Sequence, residues 1–488
     1  MSDEIVGARQ REELPAPALG HSAQYLIGVW RTLARRDDAI VLIIALALLV
    51  SVPQALFHGY HYVEGLTVTV AQSALDDGNW LNQHMYNLPW LERPMLLSWM
   101  IAVLSMPLGY VEPFIARLPV VLSLVAGILL VWRALRPVAS REAALFGAGL
   151  FLACPLVMRY YVTSVADLPL AVLLFAAFMM WFNSYTARQL TLGRWSTIGA
   201  VLAIAALLKG PQPAAYFFLG VLVFIVLTSD WRQLPGLFLA GCVAIVPTAL
   251  WYVHVFSADA QNVWMRYTRL SPSGVTWPHP FGNAVDFFFE CFPAAVLAAA
   301  LSLANLKAAE RKLPSRFLLA LSCYALACTS VLLIWPAEIN PRYVLPMVLP
   351  LCVLGGISFD VLSRQAPTFV AAISVIVFGL LGYATYHSMH DIFLKPAYIS
   401  SKIEGAKISA LVHEAPAPLY RTDWSVGLNE LPYARVRVMT IPLSQIAAIT
   451  GPAWIVVPVT DAHVIIERKR GQIKSVRAFS QFDLLRLN

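Results

Sequence analysis

Charge is what this sequence has least of. Only 13% of its 488 residues are Asp, Glu, Lys or Arg, against 59% hydrophobic, where soluble domains carry roughly 25% charged residues. That shortage excludes a water-soluble core and points to a polytopic α-helical membrane protein. Cysteine is scarce too. All six (Cys154, Cys242, Cys291, Cys323, Cys328 and Cys352) fall in apolar runs and none in the C-terminal polar region. They read as small core residues, which excludes a disulfide framework or a CxxC metal site. No basic cluster interleaved with aromatics suggests nucleic acid, so the net charge of +7 bears on topology instead. GxGxxG and Walker-type loops are missing, which leaves no nucleotide site. The N-terminus shows no cleavable signal pattern, and no repeat of fixed period is found.

Long hydrophobic runs are what the chain does have. Residues 1–37 are polar, end in "RTLARRDD" and precede "AIVLIIALALLVSVPQALF", long enough for a retained first span. Candidate spans fall at about 39–57, 115–132, 143–162, 168–183, 195–209, 212–228, 235–254, 286–304, 317–335, 343–362 and 368–387, about eleven in all. The segment 94–109, "PMLLSWMIAVLSMPLG", is short for a span and has prolines at both ends. If it lies along the outer surface, Arg133, Arg136, Arg141, Arg188, Arg194, Lys307, Arg311, Lys312 and Arg316 all fall inside, as the positive-inside rule requires. If it crosses, "NLKAAERKLPSR" moves outside. The non-crossing arrangement therefore defines the expected layout. Residues 1–37 form a cytoplasmic segment, 38–387 a transmembrane domain with a first periplasmic loop at 58–114, and 388–488 a periplasmic domain. Short β-branched runs such as "AWIVVPVT" alternate there with helical patterns, predicting a small α/β unit.

With that sidedness, the ionisable residues that are costly at a membrane boundary collect on the outer side. Glu64, Glu92 and Arg93 lie in the first outer loop. Asp167 begins the fourth span and Lys209 ends the fifth. His279 lies in the long outer loop before the eighth, and Arg342 and Tyr343 begin the tenth. Five of these have an ordinary explanation as well. Glu92 and Arg93 make an interfacial charge pair, Asp167 a helix N-cap, Arg342 a snorkelling side chain and His279 a turn residue. Read together, they describe a site for an anionic headgroup. Lys209, Arg93 and Arg342 suit a phosphate, and Glu92 with His279 suits a divalent metal.

The order "VEGLTVTVAQSALDDGNWLNQHMYNLPWLERPMLLSWM", "ARLP", "VADLPL", "LLKGP", "HPFGN" and "PRYVLP", from about residue 60 to 362, resembles the GT-C glycosyltransferases. Within them it is most similar to the bacterial lipid A aminoarabinose transferases and their protein O-mannosyltransferase relatives. The resemblance implies an inner-membrane enzyme that takes a sugar from a polyprenyl phosphate carrier on the periplasmic side. The acceptor would be lipid A, another lipid or glycan, or a protein. It implies Glu92 and His279 as ligands of a divalent ion (zinc or magnesium) near the carrier phosphate. Arg93, Lys209, Arg342 and Tyr343 would surround that phosphate, and Asp167 would lie at the reaction centre. One departure stands out. The paired Asp-Glu of the family is Val63-Glu64 here, and Leu66 replaces a nearby arginine. The expected reaction is direct displacement at the anomeric carbon with inversion, Glu64 or Asp167 acting as base. The rival readings are a flippase of lipid-linked sugars and a catalytically impaired lipid-binding homologue.

Overall fold

The computed structural model describes residues 21–488 apart from 37, 62, 213, 257–284, 286, 308–314, 335–339, 395–399 and 470. Among the described residues, eight helices are long and apolar enough to cross a membrane. Each of the eleven segments expected to span contains a helix. The chain begins with α1 (His21–Ala34) and α2 (Ala39–Phe57), followed by α3 (Glu64–Asp77), a short hairpin of β1 (His84–Met85) and β2 (Leu88–Pro89), and α4 (Leu96–Ser105). Ten residues of α-helix extend only about 15 Å, half of a bilayer's hydrocarbon thickness, so α4 is too short to cross.

Local chemistry sets the long helices. Pro113 opens α5 (Pro113–Leu135) behind Glu112, whose side chain accepts from Phe114 N at 2.8 Å, a capped start with proline where its missing N–H costs nothing. The expected span at 143–162 is divided into α6 (Arg141–Ala153) and α7 (Pro155–Tyr160). Pro155 lacks an N–H and forces Cys154 into extended backbone, φ −65° and ψ 123°, which ends the first helix. Next come α8 (Asp167–Thr186), α9 (Leu192–Lys209), α10 (Ala214–Thr228), α11 (Leu234–Val255), α12 (Ala294–Lys307) and α13 (Ser315–Ile334). The most enclosed span is that of α14 (Leu345–Gln365), which packs on α5, α6, α8, α12 and α13. The last span, α15 (Pro367–Leu394), continues past the expected boundary at 387.

After it, α16 (Ser400–Glu414), α17 (Leu431–Ala434) and α18 (Val459–Arg468) surround a five-stranded sheet. Its strands are β3 (Leu419–Arg421), β4 (Val438–Thr440), β5 (Ala453–Pro458), β6 (Ile473–Ala478) and β7 (Phe482–Leu487), in the order β4-β3-β5-β7-β6. The β4-β3-β5 pairings are parallel and the β5-β7-β6 pairings antiparallel. Alternate residues of β5 enter two cores: Trp454 and Val456 join Ile408 and Val412 of α16, whereas Ile455 and Val457 join Ala462 and Ile465 of α18. Helices on both faces explain why this strand reads as a continuous apolar run.

Candidate active site

Four helix ends meet at one place in the bundle: the starts of α4, α8 and α14 and the end of α9. They bring Arg93, Asp167, Lys209 and Arg342 to the wall of one cavity of about 40 Å³, room for a few waters. Val63, Leu66 and Thr67 of the α3 region complete it. Asp167 is buried, and its carboxylate is held by Lys209 Nζ, with Arg342 Nε 3.7 Å from the other oxygen. Lys209 Nζ also lies 3.8 Å from the centre of the Tyr343 ring, a cation–π contact that fixes the ammonium. Arg342 Nε is buried without a hydrogen-bond partner, a donor still to be satisfied. Two cations, Lys209 and Arg342, thus flank a single carboxylate, with Arg93 on the same cavity wall, and the cavity favours an added anion.

Gly210 stops α9 right after Lys209: its φ of 94° is left-handed backbone that glycine tolerates. Arg93 is set by the turn before α4. Turning the Gln83 amide to satisfy its neighbours lets it donate to Arg93 O at 3.0 Å and accept from Met95 N at 2.8 Å. Glu92 sits beside Arg93, Oε1 to Nη1 3.3 Å, and its carbonyl accepts from Tyr252 Oη at 3.2 Å. Among the described residues, no group of three His, Cys, Asp or Glu side chains is placed to hold a metal. His279 lies outside the described residues. Glu92, paired with Arg93, is thus the one member of the expected divalent-ion pair that falls among the described residues.

Glu64 occupies a different environment. It is fully buried behind the cavity wall and bound at both oxygens. Arg117 donates to them from Nε at 2.9 Å and Nη2 at 2.8 Å, Ser164 N donates at 2.7 Å and His61 N at 3.0 Å. The His61 Nδ1 lies 2.8 Å away as well. Burial alone would raise the Glu64 pKa, but Arg117 and then His61 more than offset it, holding the carboxyl well below the usual carboxylate range. Arg117 also donates to the carbonyls of His58 (2.8 Å) and Gly59 (2.8 Å). The buried pair therefore ties the strap 58–64 to the turn 163–166 that leads into Asp167. Within "ARLP", the sequence neighbours of Arg117 assign it no role. A charged side chain inside an apolar run was the available signal.

A central part of the chain, residues 92–254, matches the family described as dolichyl-phosphate-mannose-protein mannosyltransferase. In fold, the chain is similar to the crystal structure of ArnT from Cupriavidus metallidurans bound to undecaprenyl phosphate. That match has a TM-score of 0.73 at 19% identity and covers 92% of this chain and 98% of that one. The chain has the GT-C fold. The GT-C oligosaccharyltransferase of Archaeoglobus fulgidus shares it more distantly, TM-score 0.53 and 13% identity over 87% of this chain and 70% of that one. In sequence, the chain is 25% identical over 320 residues to the undecaprenyl phosphate-alpha-4-amino-4-deoxy-L-arabinose arabinosyl transferase of Enterobacter sp. (strain 638), covering 62% of the chain. It is 30% identical over 189 residues to the enzyme of the same name from Erwinia tasmaniensis, covering 37% of this chain and 32% of that one. The match spans about half, 54%, of the length of the Enterobacter protein.

Proposed function

We propose that the chain is an integral-membrane glycosyltransferase that moves a sugar from a polyprenyl phosphate to an acceptor hydroxyl or similar nucleophile. The observation that carries this reading is the cavity lined by Arg93, where Lys209 and Arg342 converge on Asp167. In the proposed orientation the N-terminal segment is cytoplasmic, and the cavity and the C-terminal α/β unit face the periplasm, because the arginine-rich loops then lie inside. The names of the relatives make undecaprenyl phosphate-linked 4-amino-4-deoxy-L-arabinose the first donor to try, and the family resemblance of the sequence makes lipid A the first acceptor.

In the proposed reaction, the acceptor oxygen attacks the anomeric carbon from the face opposite the phosphate, with inversion. The bond from that carbon to the phosphate oxygen breaks, and the acceptor proton passes to a base. The leaving group gains a negative charge as it becomes polyprenyl phosphate. Lys209, Arg342 and Arg93 stabilise that charge more in the transition state than in the donor, which is the differential binding that lowers a barrier. Asp167 is assigned as the base. An arriving phosphate competes with it for Lys209 and so releases the carboxylate to accept the proton. Glu64 is assigned to positioning, because both of its oxygens are occupied and it is closed to solvent. Val63 lines the cavity where the family resemblance places an aspartate, which leaves Asp167 as the carboxylate on that wall.

Reconstituted protein supplied with that donor and lipid A tests the assignment by release of undecaprenyl phosphate. Asp167→Asn is expected to slow release by about 10²–10⁴-fold, and Lys209→Ala by about 10²–10³-fold. Undiminished release in both would overturn it. Carrier binding by the wild type without any release would identify an impaired, lipid-binding chain instead.

A further inference from the structure

We propose that Asn429 and Tyr433 of the C-terminal α/β unit are positioning residues for transfer, gripping the chain on both sides of Glu64. The inference rests on the glycosyltransferase reading. On the upstream side, Tyr60 N donates to Tyr433 Oη at 2.9 Å, and the two rings stack with centroids 4.7 Å apart. Ser401 Oγ, from the start of α16, donates to Tyr60 O at 2.9 Å. Both polar groups of the Tyr60 backbone are thus held by the C-terminal unit. The Arg117 guanidinium lies 5.5 Å from the Tyr60 ring centre, so the grip adjoins the buried ion pair directly.

On the downstream side, Gly65 N donates to Asn429 Oδ1 at 3.1 Å. The N-cap of α3 is Val63, which offers no side-chain hydrogen bond. A helix start leaves its first N–H groups unsatisfied unless another group accepts from them, and here the acceptor comes from a residue 364 positions away. The approach is so close that a Cβ on Gly65 would lie 1.8 Å from Leu428 O. Only glycine fits there with the two units in contact.

These contacts bear on the reaction through Glu64. Its carboxylate holds Ser164 N three residues before Asp167, and Val63, Leu66 and Thr67 on either side of it line the cavity. Loss of the Asn429 or Tyr433 contact loosens this strap, and with it the wall and the turn that aims Asp167. A small misplacement of a reacting group costs rate more than binding.

The test uses the full chain in lipid nanodiscs with Asn429→Ala, Asn429→Asp and Tyr433→Phe. In release of undecaprenyl phosphate from the aminoarabinose donor, Asn429→Ala and Tyr433→Phe are expected to lower kcat about ten- to a hundredfold. KM for the donor and Tm should change little. Asn429→Asp keeps an acceptor for Gly65 N and should restore most of the rate. Hydrogen exchange supplies a readout independent of turnover: amides of 161–167 should exchange faster in the Ala and Phe variants than in wild type. Unchanged kcat, or a loss that the Asp variant shares and that follows Tm, would overturn the proposal. If the wild type itself releases no carrier, the enzyme reading fails while exchange still decides this one, unaltered protection of 161–167 counting against it.

Discussion

Glu64 and Asp167 are both buried acids at helix starts, and their neighbours set them apart. Asp167 faces a cavity and shares its charge with cations that an incoming anion can draw away. Glu64 is enclosed by an arginine, a histidine and two backbone N–H groups. Glu64→Gln is expected to leave Arg117 as an uncompensated buried charge and destabilise the protein by about 3–5 kcal/mol, measurable as a lowered Tm. The pH dependence has a definite sign. Because the folded carboxyl titrates below its unfolded value, its contribution is fully present above the ordinary glutamate pKa of about 4.3 and is lost as pH falls through the lower folded value. Wild type should therefore lose stability relative to Glu64→Gln on acidification and not between neutral and mildly acidic pH. At this scale the sequence was legible where short motifs mark helix ends. "VADLPL", "LLKGP" and "PRYVLP" located Asp167, Lys209 and Arg342, which the fold brings together. Arg117 meets Glu64 across 53 positions, and no local pattern encodes that pairing.

Among the elements, α4 is the one whose two faces differ in purpose. Leu97, Ser98, Ile101, Ala102 and Ser105 are buried, and Ser98 Oγ donates to Thr67 O at 2.8 Å. Met100, Val103 and Leu104 stand exposed on the other face. A helix too short to cross, with one face on α3 and one apolar face open, is suited to lie in the interfacial layer beside the lipid tail of a donor. Val103→Glu combined with Leu104→Glu is expected to raise KM several-fold for a long-chain donor and to leave a short-chain donor nearly unaffected, as steady-state kinetics with both would show. Hydrophobic length alone located the long helices, since span-length apolar runs have few alternatives. It did not show the break at Pro155, because 143–162 carries enough apolar residues for one span, and periodicity does not report where backbone must bend.

Across the whole molecule, the α/β unit after α15 is bound to the first loop through several separated contacts. Asn87 donates from Nδ2 to Thr440 O at 3.0 Å and accepts from Thr440 N at 2.6 Å. Arg435 lies 3.8 Å from the centre of the Tyr110 ring. The alternation of β-branched runs and helical patterns in 388–488 foretold a small α/β unit. The mixed strand order and the docking surface were not legible, because both depend on pairings between distant segments. Val456→Asp puts a carboxylate at a fully buried position of the central strand, where an unpaired charge is strongly destabilising. The expected result is unfolding of the unit together with loss of transfer, although Val456 lines no part of the cavity. Limited proteolysis alongside the release assay would show whether the two losses coincide.

The close seat of Leu428 against Gly65 also has a meaning for biogenesis. Residues 400–434 emerge from the ribosome after the spanning helices α2 to α15, so the strap around Glu64 waits for them before its last partners arrive. An insertion intermediate that holds only the spanning helices has no Asn429 on α3 and no Tyr433 on Tyr60. In the proposed scheme, the newborn chain thus stays idle in the membrane until the α/β unit has been translocated and folded, and competence begins when that unit closes on the first loop.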